Sequence, residues 1–361
     1  MFSARAENEY LVNSEGSQIQ QGRKYLRIVL SASTKAEDGM ELSQYRTFNA
    51  ASLEGLPTEE ELKAEFKKVI DQVLALREAP LVEPYTGPAI LMNRASGVFF
   101  HEIFGHRIEG HRQKDVEEGQ TFTKKVGEQI LPEFISVHDD PAMRKWGDVD
   151  LRGYYKYDDE GVPSQDVTLV ENGVLKTFLL SRSPVQDFVH SNGHGRRSPG
   201  NDVVSRMGNT IVYSTKTAGF DELRQMLIAE CKKQDKPYGL LFDDITGGFT
   251  GTSRRGTQTF KVLPVVVYRV YPDGRPDELV RGVDIVGTPL TSFSKITYTG
   301  DDPDVFNGSC GAESGFIPVS CVSPSILVSE IEVEKRRREQ DKPPILAPPI
   351  AAEKKRAESN T

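Results

Sequence analysis

A chain of 361 residues is long enough to bury a large core, arranged as two domains or as one elaborate one. With 27% charged residues and a formal net charge of -8 it lacks the basic excess that holds nucleic acid, and no run of about 18 apolar residues offers a membrane span. The leading MFSARAENEY has no apolar signal stretch, and Cys231, Cys310 and Cys321 form no disulfide framework, so the expected setting is a reducing cytoplasm.

In chain order, Tyr10-Leu11-Val12 runs into the turn-forming Asn13-Ser14-Glu15-Gly16, and Tyr25 to Leu30 is strand-like. Residues 8–50 therefore read as an ordinary hairpin sheet. Thr58 and Glu61 make a capping box, and Leu62, Phe66, Val69, Ile70, Val73 and Leu74 recur at helical spacing. That predicts a helix over 58–77 with its apolar stripe in the core. Pro80, Pro84 and Pro88 form an extended connector, the expected boundary between an N-terminal α/β domain (1–79) and a β-rich domain (80–334).

Ala89-Ile90-Leu91-Met92 is a short buried strand leading to Gly97-Val98-Phe99-Phe100-His101-Glu102-Ile103-Phe104-Gly105-His106, around which the chain is organised. Imidazole is a good ligand for zinc-like ions, and a carboxylate beside a ligand can act as a base. The two histidines are five apart, where the familiar zinc-protease helix has them four apart. On a regular helix five steps leave the side chains roughly 140° apart. A π-bulge at Gly105 would remove that offset, and the helix is expected to run past His111 because residues 112–118 hold no breaker before Gly119. The plainer alternative is an amphipathic helix carrying two unrelated histidines.

From about residue 130 the pattern is β-rich. Leu131 to Val137, Val167 to Val170 and Leu175 to Leu180 read as strands, with Asn172-Gly173 as a hairpin turn before the last of them. Asp158-Asp159-Glu160 reads as a solvated turn, with support for a metal-bound histidine as the alternative. Gly193-His194-Gly195-Arg196-Arg197 is a loop whose guanidiniums suit a carboxylate, and Arg196 and Arg197 are candidate substrate-binding residues. A surface loop tied by ion pairs is the competing reading. Residues 221–234 form a helix with Cys231 in its apolar stripe, and 247–251 reads as a glycine-rich loop. Val262 to Val270 is a buried strand closed by a Pro272-Asp273-Gly274 turn. Cys310 then sits between glycines in a loop entering the strand Val319 to Val322, where Cys321 is packed. Residues 335–361, charged and proline-rich, are expected to be a disordered tail.

His101-Glu102-x-x-x-His106, Asp159-Glu160-Gly161-Val162-Pro163, Gly193-x-Gly195-Arg196-Arg197, Arg206-Met207-x-Asn209-Thr210 and Cys310-Gly311 with Pro318-Val319 together resemble the TldD/PmbA family of metalloproteases. Order and spacing agree from about residue 9 to 334, and retention of the histidine motif resembles the TldD-like, active branch. The resemblance implies that His101, His106 and Cys310 hold a divalent metal ion, zinc with iron as the other candidate, and that Glu102 is the catalytic base. It implies hydrolysis of unfolded or short peptides by a homodimer, or by a heterodimer with a PmbA-like subunit, with no nucleic acid or membrane involved. The front end looks like a shortened form of the family's N-terminal domain, and Ser320-Cys321-Val322-Ser323 stands where the family is glycine-rich. The expected fold class is α+β, with largely antiparallel twisted sheets and the metal-motif helix packed against them. The rival function is a non-catalytic scaffold or modulator, its metal closed by a fourth ligand from His111, His138 or His194.

Overall fold

A computed structural model describes residues 1–114, 117–118, 121–253 and 259–336. At the front, strands β1 (Phe2–Val12), β2 (Gln18–Lys35) and β3 (Glu41–Ala50) pair antiparallel in that order. Helix α1 (Glu59–Glu78) packs on β2 and β3. It begins at the predicted capping box: the Thr58 side chain accepts from the Glu61 amide, and the Glu61 carboxylate accepts from the Thr58 amide. The predicted core stripe is only partly buried. Val69, Val73 and Leu76 face the sheet, whereas Phe66, Ile70 and Leu74 stay in solvent because a three-stranded sheet covers one narrow face of the helix.

The remaining elements are β4 (Tyr85–Leu91), α2 (Asn93–Ile103), β5 (Ile135–Asp139), β6 (Val167–Glu171), β7 (Asn209–Ser214), α3 (Phe220–Lys233) and β8 (Gly239–Thr250). They are followed by β9 (Phe260–Val270), β10 (Val283–Gly287), β11 (Asp304–Ala312), β12 (Gly315–Ser323) and β13 (Ile326–Lys335). One sheet runs β11-β12-β7-β5-β6. The other runs β13-β10-β9-β8-β4, and β4 pairs with β13 as well, so these five strands close on themselves. Closure leaves the strands of that ring no open edge. The pairings β7–β12 and β8–β4 are parallel, while β5–β7, β8–β9, β9–β10, β11–β12 and β4–β13 are antiparallel. The fold class is therefore the expected α+β one.

Helix α2 lies between the two sheets, packing on β8 and β9 of one and on β11 and β12 of the other. This explains a helix that is apolar on more than one face, with Ala95, Val98, Phe99, Phe100 and Ile103 all buried. Phe99 meets Phe260 edge-on, and Phe100 stacks on Phe293.

Several local expectations change. Asn172 and Gly173 adopt φ 48° and 81° and close the predicted hairpin, but the strand after them stops at Leu175. The glycine-rich 247–250 segment continues β8 through bulges, because its amide groups pair with β9 and small residues are needed beside α2. The predicted tail, apart from Lys335 and Arg336, lies outside the described residues. Among the described residues no helix is long and apolar enough to cross a membrane.

Candidate metal centre

The motif helix does not contain a π-bulge and does not run past His111. It ends at Ile103, and a 3₁₀ turn over Gly105–Arg107 follows, then a second over Gly110–Gln113. What stops it is Arg107. Its Nη1 turns back to donate to the carbonyls of Glu102 at 3.0 Å and Ile103 at 3.3 Å, and to Thr250 Oγ1 at 2.7 Å. A buried cation thus satisfies the orphan carbonyls at the negative end of the helix. Tightening into a 3₁₀ turn swings His106 back over the helix end, so the angular offset of a five-residue spacing never arises. Gly105 matters for close approach: a Cβ there would lie 2.0 Å from the Met207 sulfur.

Cys310 also departs from expectation. It sits within β11, paired with Ile317 of β12, and not in a loop. Strand geometry fixes the direction of its side chain, which points onto the end of α2. His101 Nε2 lies 3.3 Å from the Cys310 sulfur and His106 Nε2 lies 3.4 Å from it. All three donor atoms fall within 4.8 Å of one another. The ligand-to-ligand edges of a zinc tetrahedron are roughly 3.4–3.6 Å for Zn–N of about 2.0–2.1 Å and Zn–S of about 2.3 Å. The triad fits such an ion in spacing and in chemistry. Burial alone would raise the Cys310 thiol, but the imidazoles of His106 and His101 outweigh it and hold the group well below the usual thiol range, toward the thiolate a metal needs.

Glu102, beside His101 on α2, is buried, and burial pushes its carboxyl above the usual range against the pull of His101 and His106. Both residues line a cavity of about 270 Å³, together with Gly247 and Gly248 of β8 and residues 306–309 of β11. Gly248 leaves no room to spare. A Cβ there would stand 2.6 Å from Glu102 Cγ and 2.8 Å from the Lys261 carbonyl oxygen, and the backbone side of that vice cannot yield. Gly248→Ala should therefore displace the Glu102 side chain from its place beside His101, which a crystal structure of the variant reads. Metal content measured by elemental analysis should be unchanged.

Beneath the triad is a charged cluster that the local sequence pattern did not reveal. Glu109, fully buried, accepts from His106 Nδ1 at 3.4 Å, Arg112 Nε at 2.9 Å and Arg206 Nε at 3.1 Å. Burial would raise its carboxyl, but His106, Arg112 and Arg206 hold it well below the usual carboxylate range. By accepting at Nδ1 it leaves Nε2 of His106 free to face the donor triad. Arg206, also fully buried, donates to the Cys310 sulfur at 3.1 Å and to the Cys310 carbonyl at 2.9 Å. Its other nitrogen donates to Ser314 Oγ at 2.7 Å. Arg112 continues the chain to Glu313, which also pairs with His111. Arg206 opens one of the motifs quoted above, which was the available signal. Glu109 stood out only as an acid three residues beyond a histidine.

The other candidates fall elsewhere. Arg196 is buried, stacks 4.8 Å from the Tyr155 ring and donates to the Met207 carbonyl at 2.5 Å, while exposed Arg197 donates to the Asn201 carbonyl. Both line a separate cleft of about 940 Å³ between β1–β2 and the rest of the chain, and neither joins the donor triad. In the Asp158–Glu160 turn Asp158 is buried while Asp159 and Glu160 are half-buried. The Asp158 carboxylate accepts from the amides of Glu160, Val162 and Gly195, and it supports no metal-bound histidine. His111 pairs with Glu313, His138 with Asp166 and His194 with Asp139, and none of these histidines reaches the triad.

An α+β protein with a buried imidazole–imidazole–thiol triad, one of whose histidines lines a cavity, defines a metal-site class. Residues 84–335 match the model of the PmbA/TldA metallopeptidase C-terminal domain, and the chain belongs to the PmbA/TldD family. It is 31% identical over 261 residues to a metalloprotease of Archaeoglobus fulgidus, covering 72% of this chain and 56% of that one. It is 27% identical over 277 residues to a zinc metalloprotease TldD homolog of Saccharolobus solfataricus, covering 73% and 57%. Its fold is similar to that of TldE from Thermococcus kodakarensis, with a TM-score of 0.66 at 17% identity over 92% of this chain and 68% of that one. The chain spans between about half and two thirds of the length of these curated relatives.

Proposed function

We propose that this protein is a metal-dependent peptidase acting on unfolded or short peptides, with His101, His106 and Cys310 holding a divalent ion, zinc in the first place, and Glu102 as general base. The observation that carries this reading is the convergence of the three donors, one of which, His101, lines a cavity that Glu102 also lines. Bound there, the ion would supply Lewis-acid polarisation of the scissile carbonyl and acidify the attacking water. The chain's own part is proton transfer and exclusion of solvent. Glu102 takes a proton from the water and returns it to the leaving amine nitrogen. Its buried setting, with a carboxyl pushed upward, suits a group that must hold a proton between those two events. Glu109 and Arg206 hold His106 and Cys310 in place from behind.

A closed scaffold site is the less favoured reading, because it needs a fourth protein ligand. Among the described residues the donor cluster has three members, and the three spare histidines are engaged elsewhere. Glu102→Gln should lower peptide cleavage by roughly 10²- to 10⁴-fold while the purified protein keeps its full metal content. Cleavage at the wild-type rate would remove Glu102 from the chemistry, and metal-loaded wild-type protein that cleaves no peptide would overturn the peptidase reading.

A further inference from the structure

We infer that Arg27 anchors a carboxylate carried by the substrate, a reading that deepens the peptidase proposal and rests on it. Alternate side chains of β2 face the body of the protein. Gln21 donates to the Tyr157 carbonyl at 2.8 Å, and the Arg152 guanidinium stacks 4.3 Å from the Tyr25 ring. Arg27, two residues beyond Tyr25 on the same face, enters the wall of the 270 Å³ cavity that His101 and Glu102 also line. Its Nε is buried with no hydrogen-bond partner, and among the described residues its guanidinium forms no ion pair. Arg94 and Arg152 share a buried, unpaired Nε, but the guanidiniums around Arg27 each have another polar partner. Arg46 and Arg94 both face Asp244, and Arg152 donates to the Gly308 carbonyl.

An unpartnered guanidinium beside a hydrolytic site is a preset receptor. Its planar fork matches a carboxylate in two parallel hydrogen bonds, a geometry no backbone carbonyl supplies. Leaving the buried Nε unpaired costs free energy in the empty protein, and a bound carboxylate recovers it. Tyr45 of β3 closes the same cavity and is itself occupied, its hydroxyl donating to the Ile245 carbonyl at 3.0 Å. The front sheet therefore contributes a recognition residue to a site whose chemistry comes from the rest of the chain. The carboxylate has two sources, the free C-terminus of a peptide or an aspartate or glutamate side chain within it.

The test uses the metal-loaded full chain and a set of peptides that differ only in charge. One pair compares a free C-terminus with its amide, and another compares an internal Glu with Gln. In the wild type, KM should be lower by on the order of 10- to 100-fold for whichever pair member carries the recognised carboxylate. Arg27→Gln should erase that preference by raising KM for the favoured peptide of the pair to that of its uncharged counterpart, while Arg27→Lys should restore part of it. Discrimination by the terminus identifies an exopeptidase-like placement, and discrimination by the side chain identifies an acidic-residue preference; either supports the inference. Equal KM values across both pairs, or a preference that survives Arg27→Gln, overturn it. Because no hydrogen bond or ion pair holds the Arg27 guanidinium among the described residues, melting temperatures of the variants should match the wild type. Fluorescence anisotropy of the same labelled peptides on Glu102→Gln protein reads binding without turnover. Equal binding within both pairs there speaks against Arg27 alone, whereas failure of the metal-loaded wild type to cleave any of the peptides speaks against the peptidase reading.

Discussion

Cys310→Ser should leave the purified protein without its bound metal and without peptidase activity. The donor triad contains a single sulfur, held 3.3 Å from His101 Nε2 and 3.4 Å from His106 Nε2. A serine hydroxyl is harder, shorter in reach and not ionised at neutral pH, so the remaining pair of imidazoles holds a borderline-soft ion weakly. The loss in affinity should exceed the roughly 10–100-fold typical of removing an outer partner of a metal ligand. Competition with a chromophoric chelator measures it. Cobalt substitution gives a second readout, since the thiolate-to-cobalt charge-transfer band should be present in the wild type and missing in Cys310→Ser. A variant that retains stoichiometric metal with wild-type affinity would take Cys310 out of the ligand set.

Arg206→Met should act through stability and metal affinity together. Arg206 is fully buried and donates to Glu109, Ser314, and both the sulfur and the carbonyl of Cys310. Removing it leaves Glu109 buried with one guanidinium fewer, and a broken buried pair typically costs about 3–5 kcal/mol. Methionine has about the right length, so the loss measures charge and hydrogen bonding more than cavity. Urea unfolding of the metal-free protein should show that fall. A drop of roughly 10–100-fold in metal affinity should accompany it, because Cys310 loses the donor that orients its sulfur. Arg206→Lys should recover only part of both, since an ammonium is a point charge without the fork that spans Glu109 and Cys310. Unchanged stability and affinity in Arg206→Met would show that the cluster is passive.

The two predictions draw on residues of very different visibility in the sequence. The capping box at Thr58 and Glu61, the Asn172-Gly173 hairpin and the helix around Cys231 were legible because each is decided within a few residues by local hydrogen bonding or backbone conformation. The candidate ligands were legible for a different reason: His, Glu and Cys in separated motifs bear a family resemblance. The end of the motif helix was not legible. Gly105 alone does not dictate a stop, yet the helix ends at Ile103 because Arg107 finds Thr250 and the last carbonyls in one buried place.

The sequence by itself determined the α+β class and most of the elements, through short-range pattern, and pointed to the candidate triad with its glutamate through a family resemblance. Only the tertiary structure decided how a five-residue histidine spacing could work, that Cys310 acts from a strand, and which acids and cations stand behind or across the site. The physical reason is range. Propensity, capping and turn geometry act over a handful of residues, whereas Glu109 with Arg206, or Arg27 with the cavity at His101, become neighbours only once sheets and helix have packed.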